Sequence, residues 1–205
     1  MGERKKNEGV VDMDTPIDIT NIKVETARLL LRPWREGDVR DLYEYASIEG
    51  VGEMAGWKHH TSIEESEEIL KSFIEEKNVL AVEYKANGKV VGSLGLHPSW
   101  ASGNSAYQML RVKEIGYVLS KAYWGRGLMP EAVGALVKFC FEEFRLDALT
   151  CSHFIHNRQS ARVIEKCGFT FVRQGEYVAK QLNQRFITRE YIRLRDSSSG
   201  EYVGL

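Results

Sequence analysis

The tightest constraint on this chain is residues 114–144, EIGYVLSKAYWGRGLMPEAVGALVKFCFEEF. The stretch reads as a strand, a glycine loop and a helix in direct succession. Over 114–120, β-favouring residues alternate: Ile115, Tyr117 and Leu119 on one side, Glu114, Gly116, Val118 and Ser120 on the other. Trp124-Gly125-Arg126-Gly127-Leu128-Met129 follows. Its two glycines open backbone conformations closed to other residues and let the chain run close to a guest. A helix begins at once. Pro130 is tolerated in the first turn, Glu131 suits the positive end of the dipole, and Val133, Leu136, Val137, Cys140 and Phe144 fall at helical spacing. Free amide N–H groups, a helix dipole and a loop poor in side chains converge on one point. That is a seat for an anion, and a pyrophosphate suits it. The dinucleotide fingerprint needs a third glycine where Pro130 stands, and a Walker loop needs a terminal Gly-Lys-Ser/Thr that is missing.

Around this unit the pattern predicts a strand over 25–34 stopped by Pro33, then an amphipathic helix over 36–47. An aperiodic loop over 50–60 carries three glycines, Met54 and Trp57, and either shapes a pocket mouth or plugs the core with its tryptophan. Ser62 and Glu65 form a capping box for a helix over 62–78, with Ile63, Leu70, Phe73 and Ile74 facing in. Its acidic outer face is that of a solvated helix, with attraction of a basic peptide as the sharper reading. Strands over 79–84 and 89–97 flank Asn87-Gly88, a hairpin turn. A strand over 148–154, a helix over 157–167 closed by Gly168, and a hairpin over 169–178 and 185–195 complete the chain. The order is mixed α/β, an α+β arrangement with no strict alternation. Residues 1–24 read as an extension, 25–196 as one domain, and 197–205 as a polar tail.

The loop, written Trp124-Gly125-Arg126-Gly127-Leu128-Met129, resembles the acetyl-CoA loop Gln/Arg-x-x-Gly-x-Gly/Ala of the GNAT N-acetyltransferases. Trp in first place, inside Tyr-Trp-Gly-x-Gly followed by Glu-Ala, resembles the RimJ/RimL-like branch that acetylates ribosomal-protein N-termini. Met129 departs from the Gly/Ala of the pattern. The opening ETARLLLRPW and the segment Asn157-Arg158-Gln159-Ser160, continuing to Gly168-Phe169, resemble the same branch. The resemblance implies a mostly antiparallel seven-stranded sheet, splayed between strands 4 and 5 and flanked by about four helices. It implies acetyl-CoA as co-substrate and a primary amine as acceptor; because no cysteine is flanked by a His or other base at a loop, direct attack in a ternary complex is favoured over ping-pong chemistry. The cofactor would lie on Val118, Leu119, Trp124, Gly125, Arg126, Gly127, Leu128, Met129, Asn157, Ser160 and Arg162. Homodimers are common in that branch.

For catalysis, a protonated amine must lose a proton before it attacks, and a carboxylate or histidine near water can take it. Glu114, at the start of the strand and in parity with Gly116 and Val118, comes first; an exposed, inert strand-end Glu is the plain alternative. His97, at a strand end before Pro98, comes second, with His59, His60 and His153 behind it. Ser160 matches the residue that serves the leaving thiolate, although Asn157, Ser160 and Gly168 are equally accounted for as helix caps. An N–H near Val118 or Leu119, freed by a bulge at Gly116, would hold the thioester oxygen. Arg162 is either a phosphate contact or surface charge. Met54 and Trp57 are the substrate-side candidates.

A net charge of −1 gives no general attraction to nucleic acid or anionic membrane. Cys140, Cys151 and Cys167 have no zinc spacing and read as core residues of a reducing compartment, so a cytoplasmic protein without metal is expected. The acceptor stays open between a ribosomal-protein N-terminus and small amines such as antibiotics, polyamines or amino acids. A CoA-binding sensor without turnover is the alternative from another class. NAD or ATP binding is disfavoured by the missing motif members.

Overall fold

A computed structural model describes residues 17–196; residues 1–16 of the extension and the tail over 197–205 lie outside it. Eight strands form one sheet in the order β1-β2-β3-β4-β5-β6-β8-β7. They are β1 (Val24–Glu25), β2 (Leu29–Pro33), β3 (Val79–Tyr84), β4 (Lys89–His97), β5 (Val112–Leu119), β6 (Ala148–Phe154), β7 (Thr170–Ala179) and β8 (Gln184–Leu194). The helices are α1 (Val39–Ala46), α2 (Ile63–Glu76), α3 (Leu128–Glu142) and α4 (Arg158–Lys166).

The strand expected over 25–34 divides, which makes eight strands where seven were expected. Thr26 donates its N–H to Leu29 O at 2.9 Å, turning the chain so that Val24 pairs with Leu31 and Glu25 with Leu30. The described part of the expected extension joins the core: Ile19 and Ile22 are 2% and 6% exposed, and Ile19 N–H donates to Lys77 O.

Whereas β7 is largely exposed, over β2 to β6 the sheet is covered on both faces. On one, α1 and α2 cover Val79, Ala81 and Val90 together with Trp34, Leu42 and Leu70. On the other, α3 and α4 cover Leu80, Val82, Leu94 and Ile115 with Leu128, Met129, Leu136 and Ile164. Neighbouring β3 residues therefore serve opposite cores, as the period of a strand requires. Between the covering layers, Arg32 is 4% exposed and pairs with Asp38 and Glu83, tying the start of α1 to the sheet. At the start of α2, Ser62 Oγ accepts from Glu65 N–H, while the Glu65 carboxylate accepts from Thr61 N–H rather than from Ser62. Ile74, expected inside, lies at the surface.

All pairings are antiparallel except β5 with β6. That parallel pairing covers only Val112↔Ala148 to Glu114↔Thr150, although β5 continues to Leu119 and β6 to Phe154. Beyond Glu114 the two strands part, and β6 stays with β8 as far as Phe154↔Thr188. Leaving aside the two-residue β1, these are the fourth and fifth strands, where the split was expected.

Candidate active site

The glycine loop enters α3 through two left-handed residues, Gly125 at φ 75° and Gly127 at φ 72°. A side chain at either would strain the backbone. Gly127 is the N-cap and brings no capping side chain. Among the described residues, none of the N–H groups over 125–129 is bonded to a protein acceptor. These are the orphan donors of a helix start, with the positive end of the dipole behind them.

The loop is held from outside. Arg28 Nη1 donates to Arg126 O at 2.9 Å, and the Arg28 guanidinium pairs with Glu131 at 2.7 Å. Thr26 Oγ1 and Arg28 N–H also donate to the Glu131 carboxylate. Burial alone would raise the pKa of Glu131, but these bonds leave it lowered. Leu128 and Met129 are 1% and 4% exposed and point into the core. The methionine departure is thereby accounted for: its side chain packs away from the loop, and only its backbone borders the site. Trp124 Nε1 donates to Leu119 O at 2.7 Å, locking the end of β5, and the Arg126 guanidinium lies 5.1 Å over the Tyr123 ring.

The split between β5 and β6 begins above this loop. Ser120 N–H donates to Val91 O, so alternation directs the backbone groups of Val118 and Gly116 at β4 and those of Ile115, Tyr117 and Leu119 at the split. Cys151 Sγ donating to Ile115 O agrees with this. Leu119 N–H therefore faces the gap, as does Tyr117 N–H, while Val118 N–H belongs to the sheet. The bulge expected at Gly116 is absent: the β4–β5 register runs unshifted from Gly92↔Leu119 to His97↔Glu114. Gly116 serves a different purpose. A Cβ there would stand 3.1 Å from His97 Cδ2, and one at Gly95 would stand 2.2 Å from His97 Nε2. The two glycines make a bed for the imidazole.

On the α3/α4 face, Ser160 Oγ lies 2.7 Å from the Tyr117 hydroxyl, which also reaches Ser160 O at 3.1 Å. Asn157 caps α4 by accepting from Ser160 N–H, and its Nδ2 donates to Met54 O at 3.2 Å. That second bond pins the 50–60 loop to the start of α4. Arg162 is exposed and has no ion pair among the described residues.

Glu114 and His97 face the other way and are register partners. Glu114 accepts from Ser152 Oγ at 2.6 Å and from the Trp100 N–H. Burial raises its pKa, and the charge of Glu190 adds to the effect. Burial lowers that of His97. A carboxylic acid pushed up and an imidazole pushed down thus stand side by side across the β4–β5 pair. Trp57 is partly buried against the α1/α2 core, over Gly52, where a Cβ would sit 2.3 Å from the ring. Met54 is 40% exposed beside Asn157. Glu53 was not anticipated as a staple. Burial would raise its pKa, but bonds from His59 and Gly50 bring it to about 2. His60 bonds Ser66, and His153 bonds Tyr191 and Phe154 O, away from the pocket.

Tyr117 and Ser152 were also missed. Tyr117 was read only as sharing one side of an alternating strand with Ile115 and Leu119. The available signal was its hydroxyl, since a buried phenol finds a partner.

The GNAT acetyltransferase domain model matches residues 28–170, and the chain belongs to that family. The family moves acetyl groups from acetyl-CoA, and this protein is an N-acetyltransferase of that kind. It is 26% identical over 163 residues to the uncharacterized N-acetyltransferase YoaA of Bacillus subtilis, covering 77% of this chain and 86% of that relative. A GNAT-family acetyltransferase from Bacillus anthracis shares the fold with a TM-score of 0.73 at 21% identity, over 84% of this chain and 98% of that one. The ribosomal-protein-S5-alanine acetyltransferase of Vibrio fischeri shares it with a TM-score of 0.66 at 17% identity, over 86% of this chain and 98% of that one. No helix among the described residues is long and apolar enough to cross a membrane.

Proposed function

We propose that this enzyme is a cytoplasmic, RimJ/RimL-like acetyltransferase whose acceptor is the N-terminal amine of a ribosomal protein. The observation that carries the acetyl-CoA side is the set of unbonded N–H groups over 125–129 below the split between β5 and β6. Acetyl-CoA supplies an activated acetyl thioester. The amides over 125–129 hold its diphosphate, with the α3 dipole behind them. Tyr117 N–H and Leu119 N–H, directed at the split, receive the charge that gathers on the carbonyl oxygen. Glu114, with His97 opposite, takes the proton from the incoming ammonium, directly or through one water. Ser160 stabilises the departing sulfur.

Direct attack is favoured over an acyl-enzyme. Cys140, Cys151 and Cys167 are all buried, and burial pushes the thiols of Cys140 and Cys167 up to about 12 and about 11. None has the lowered pKa of a nucleophile. The acceptor assignment rests on the Tyr-Trp-Gly-x-Gly and Asn-x-x-Ser motifs. The shared fold with the Vibrio fischeri enzyme is compatible with it. It is tested by thiol release from acetyl-CoA with three sets of acceptors: peptides bearing ribosomal-protein N-termini, polyamines, and free amino acids. Peptide turnover is expected to exceed the others by at least an order of magnitude. Preferential turnover of a small amine replaces the acceptor. Tight CoA binding with no turnover of any amine replaces the enzyme reading with a sensor.

A further inference from the structure

Tyr117 has no part in the roles just assigned except through its backbone. Its side chain nevertheless reaches from β5 across to α4, where the hydroxyl meets Ser160, with the Cys151 thiol as a further neighbour on β6. Burial pushes the phenol well above its ordinary pKa, so it carries its proton throughout the working range. A phenol has one proton to give. When it goes to Ser160 O, the short contact to Oγ must be made by the serine's own proton, which is then occupied. When the phenol proton turns to Oγ, the serine proton is released to point elsewhere. Ser160 O loses little by this, because a carbonyl in the first turn of a helix also accepts from the N–H four residues on. The phenol thus has two acceptors on one residue and sets the direction in which the serine donates.

We infer that Tyr117 is a positioning residue for thiolate departure: its hydroxyl donates to Ser160 Oγ and aims the serine O–H at the sulfur. The inference rests on the assignment of Ser160 above. As the C–S bond breaks, its electron pair goes to sulfur, and Ser160 donates to that sulfur. The proton that ends on the thiol is one the attacking nitrogen has lost, and Tyr117 keeps its own. Donation from a phenol also makes the serine a stronger donor, since hydrogen bonds in series polarise one another. A serine alone is a weak acid, and this arrangement compensates for that.

The test uses the full-length protein, acetyl-CoA and hydroxylamine, a small nucleophile that reports thiol departure whatever the natural acceptor is. Tyr117→Phe is expected to lower kcat roughly tenfold, the scale of one lost hydrogen bond, with KM for acetyl-CoA unchanged. In a Ser160→Ala background the same substitution is expected to change nothing further, because its effect passes through the serine. Packing damage would instead lower both backgrounds alike, and that result overturns the inference, as does a Tyr117→Phe enzyme with wild-type kcat. Wild-type activity in Ser160→Ala alone overturns the assignment of Ser160 itself, and the role of Tyr117 falls with it. Should Tyr117→Phe fail to fold, 3-fluorotyrosine at position 117 keeps the ring and makes the phenol a stronger donor. It is then expected to raise or hold kcat, and a tenfold loss overturns the inference.

Discussion

The two faces of β5 differ in how they are built. On the α3/α4 face and along the split, the proposed donor site is made of main-chain amides from one short loop, with the Ser160–Tyr117 contact on the same face. On the opposite face, the proposed acceptor side is made of side chains from distant places. Glu114 is held by Ser152 on β6 and by the Trp100 N–H from the connection before β5, and His97 lies on glycines of two strands. The first can be kept while side chains vary, because backbone geometry carries it. The second depends on several independent contacts and can be retuned for a different amine without disturbing the first. In the proposed function, β5 therefore separates the acetyl-CoA side from the acceptor side.

The sharpest break of this contrast is Gly127→Asp. It puts a side chain on a left-handed residue and a negative charge in the anion seat. Acetyl-CoA affinity is expected to fall roughly a hundredfold or more by calorimetry. Unchanged affinity would remove the donor site from this loop.

Glu114→Gln should do the reverse, leaving acetyl-CoA affinity intact and lowering kcat/KM for the amine on the order of a hundredfold. The pH profile supplies the sign. Activity of the native enzyme rises as Glu114 loses its proton, at a midpoint above the ordinary carboxylate range because burial raises the pKa. That limb disappears in the variant. The same shift means that the folded state binds this proton more tightly than the unfolded chain does. The group therefore costs stability as pH rises from its unfolded pKa through its folded one, and Glu114→Gln should melt higher at pH 7. A variant that keeps the limb would pass the role to His97.

The smallest effect is expected from Asn157→Asp, which keeps an oxygen to cap α4 but loses the donor to Met54 O. Stability should change by about 0.5 kcal/mol or less, while KM for the amine rises about twofold to threefold as the 50–60 loop loosens. An equal rise in KM for acetyl-CoA would show that the two faces are not separable at this point.

Read from the residues, the strand, glycine loop and helix with their unbonded N–H groups were legible because these parts are neighbours in the chain. Alternation over 114–120, two glycines and a helical period describe local geometry, and local geometry decides where unbonded N–H groups point. The same holds for Asn157 as the cap of α4 and for Asn87-Gly88 as a hairpin turn. Gly116 shows the limit. A glycine in a strand is compatible with a bulge or with a close neighbour, and only the position of His97 across the β4–β5 pair distinguishes them. Likewise, only the fold shows that the Trp57 ring packs over Gly52.

The amino-acid order by itself determined a strand, loop and helix with an anion seat, because those depend on backbone conformation over a few consecutive residues. The three-dimensional packing alone decided that the parallel pairing ends at Glu114, that half-buried Glu114 meets Ser152, and that Tyr117 meets Ser160. Those contacts join residues dozens of positions apart, and no local pattern records which distant side chain will arrive.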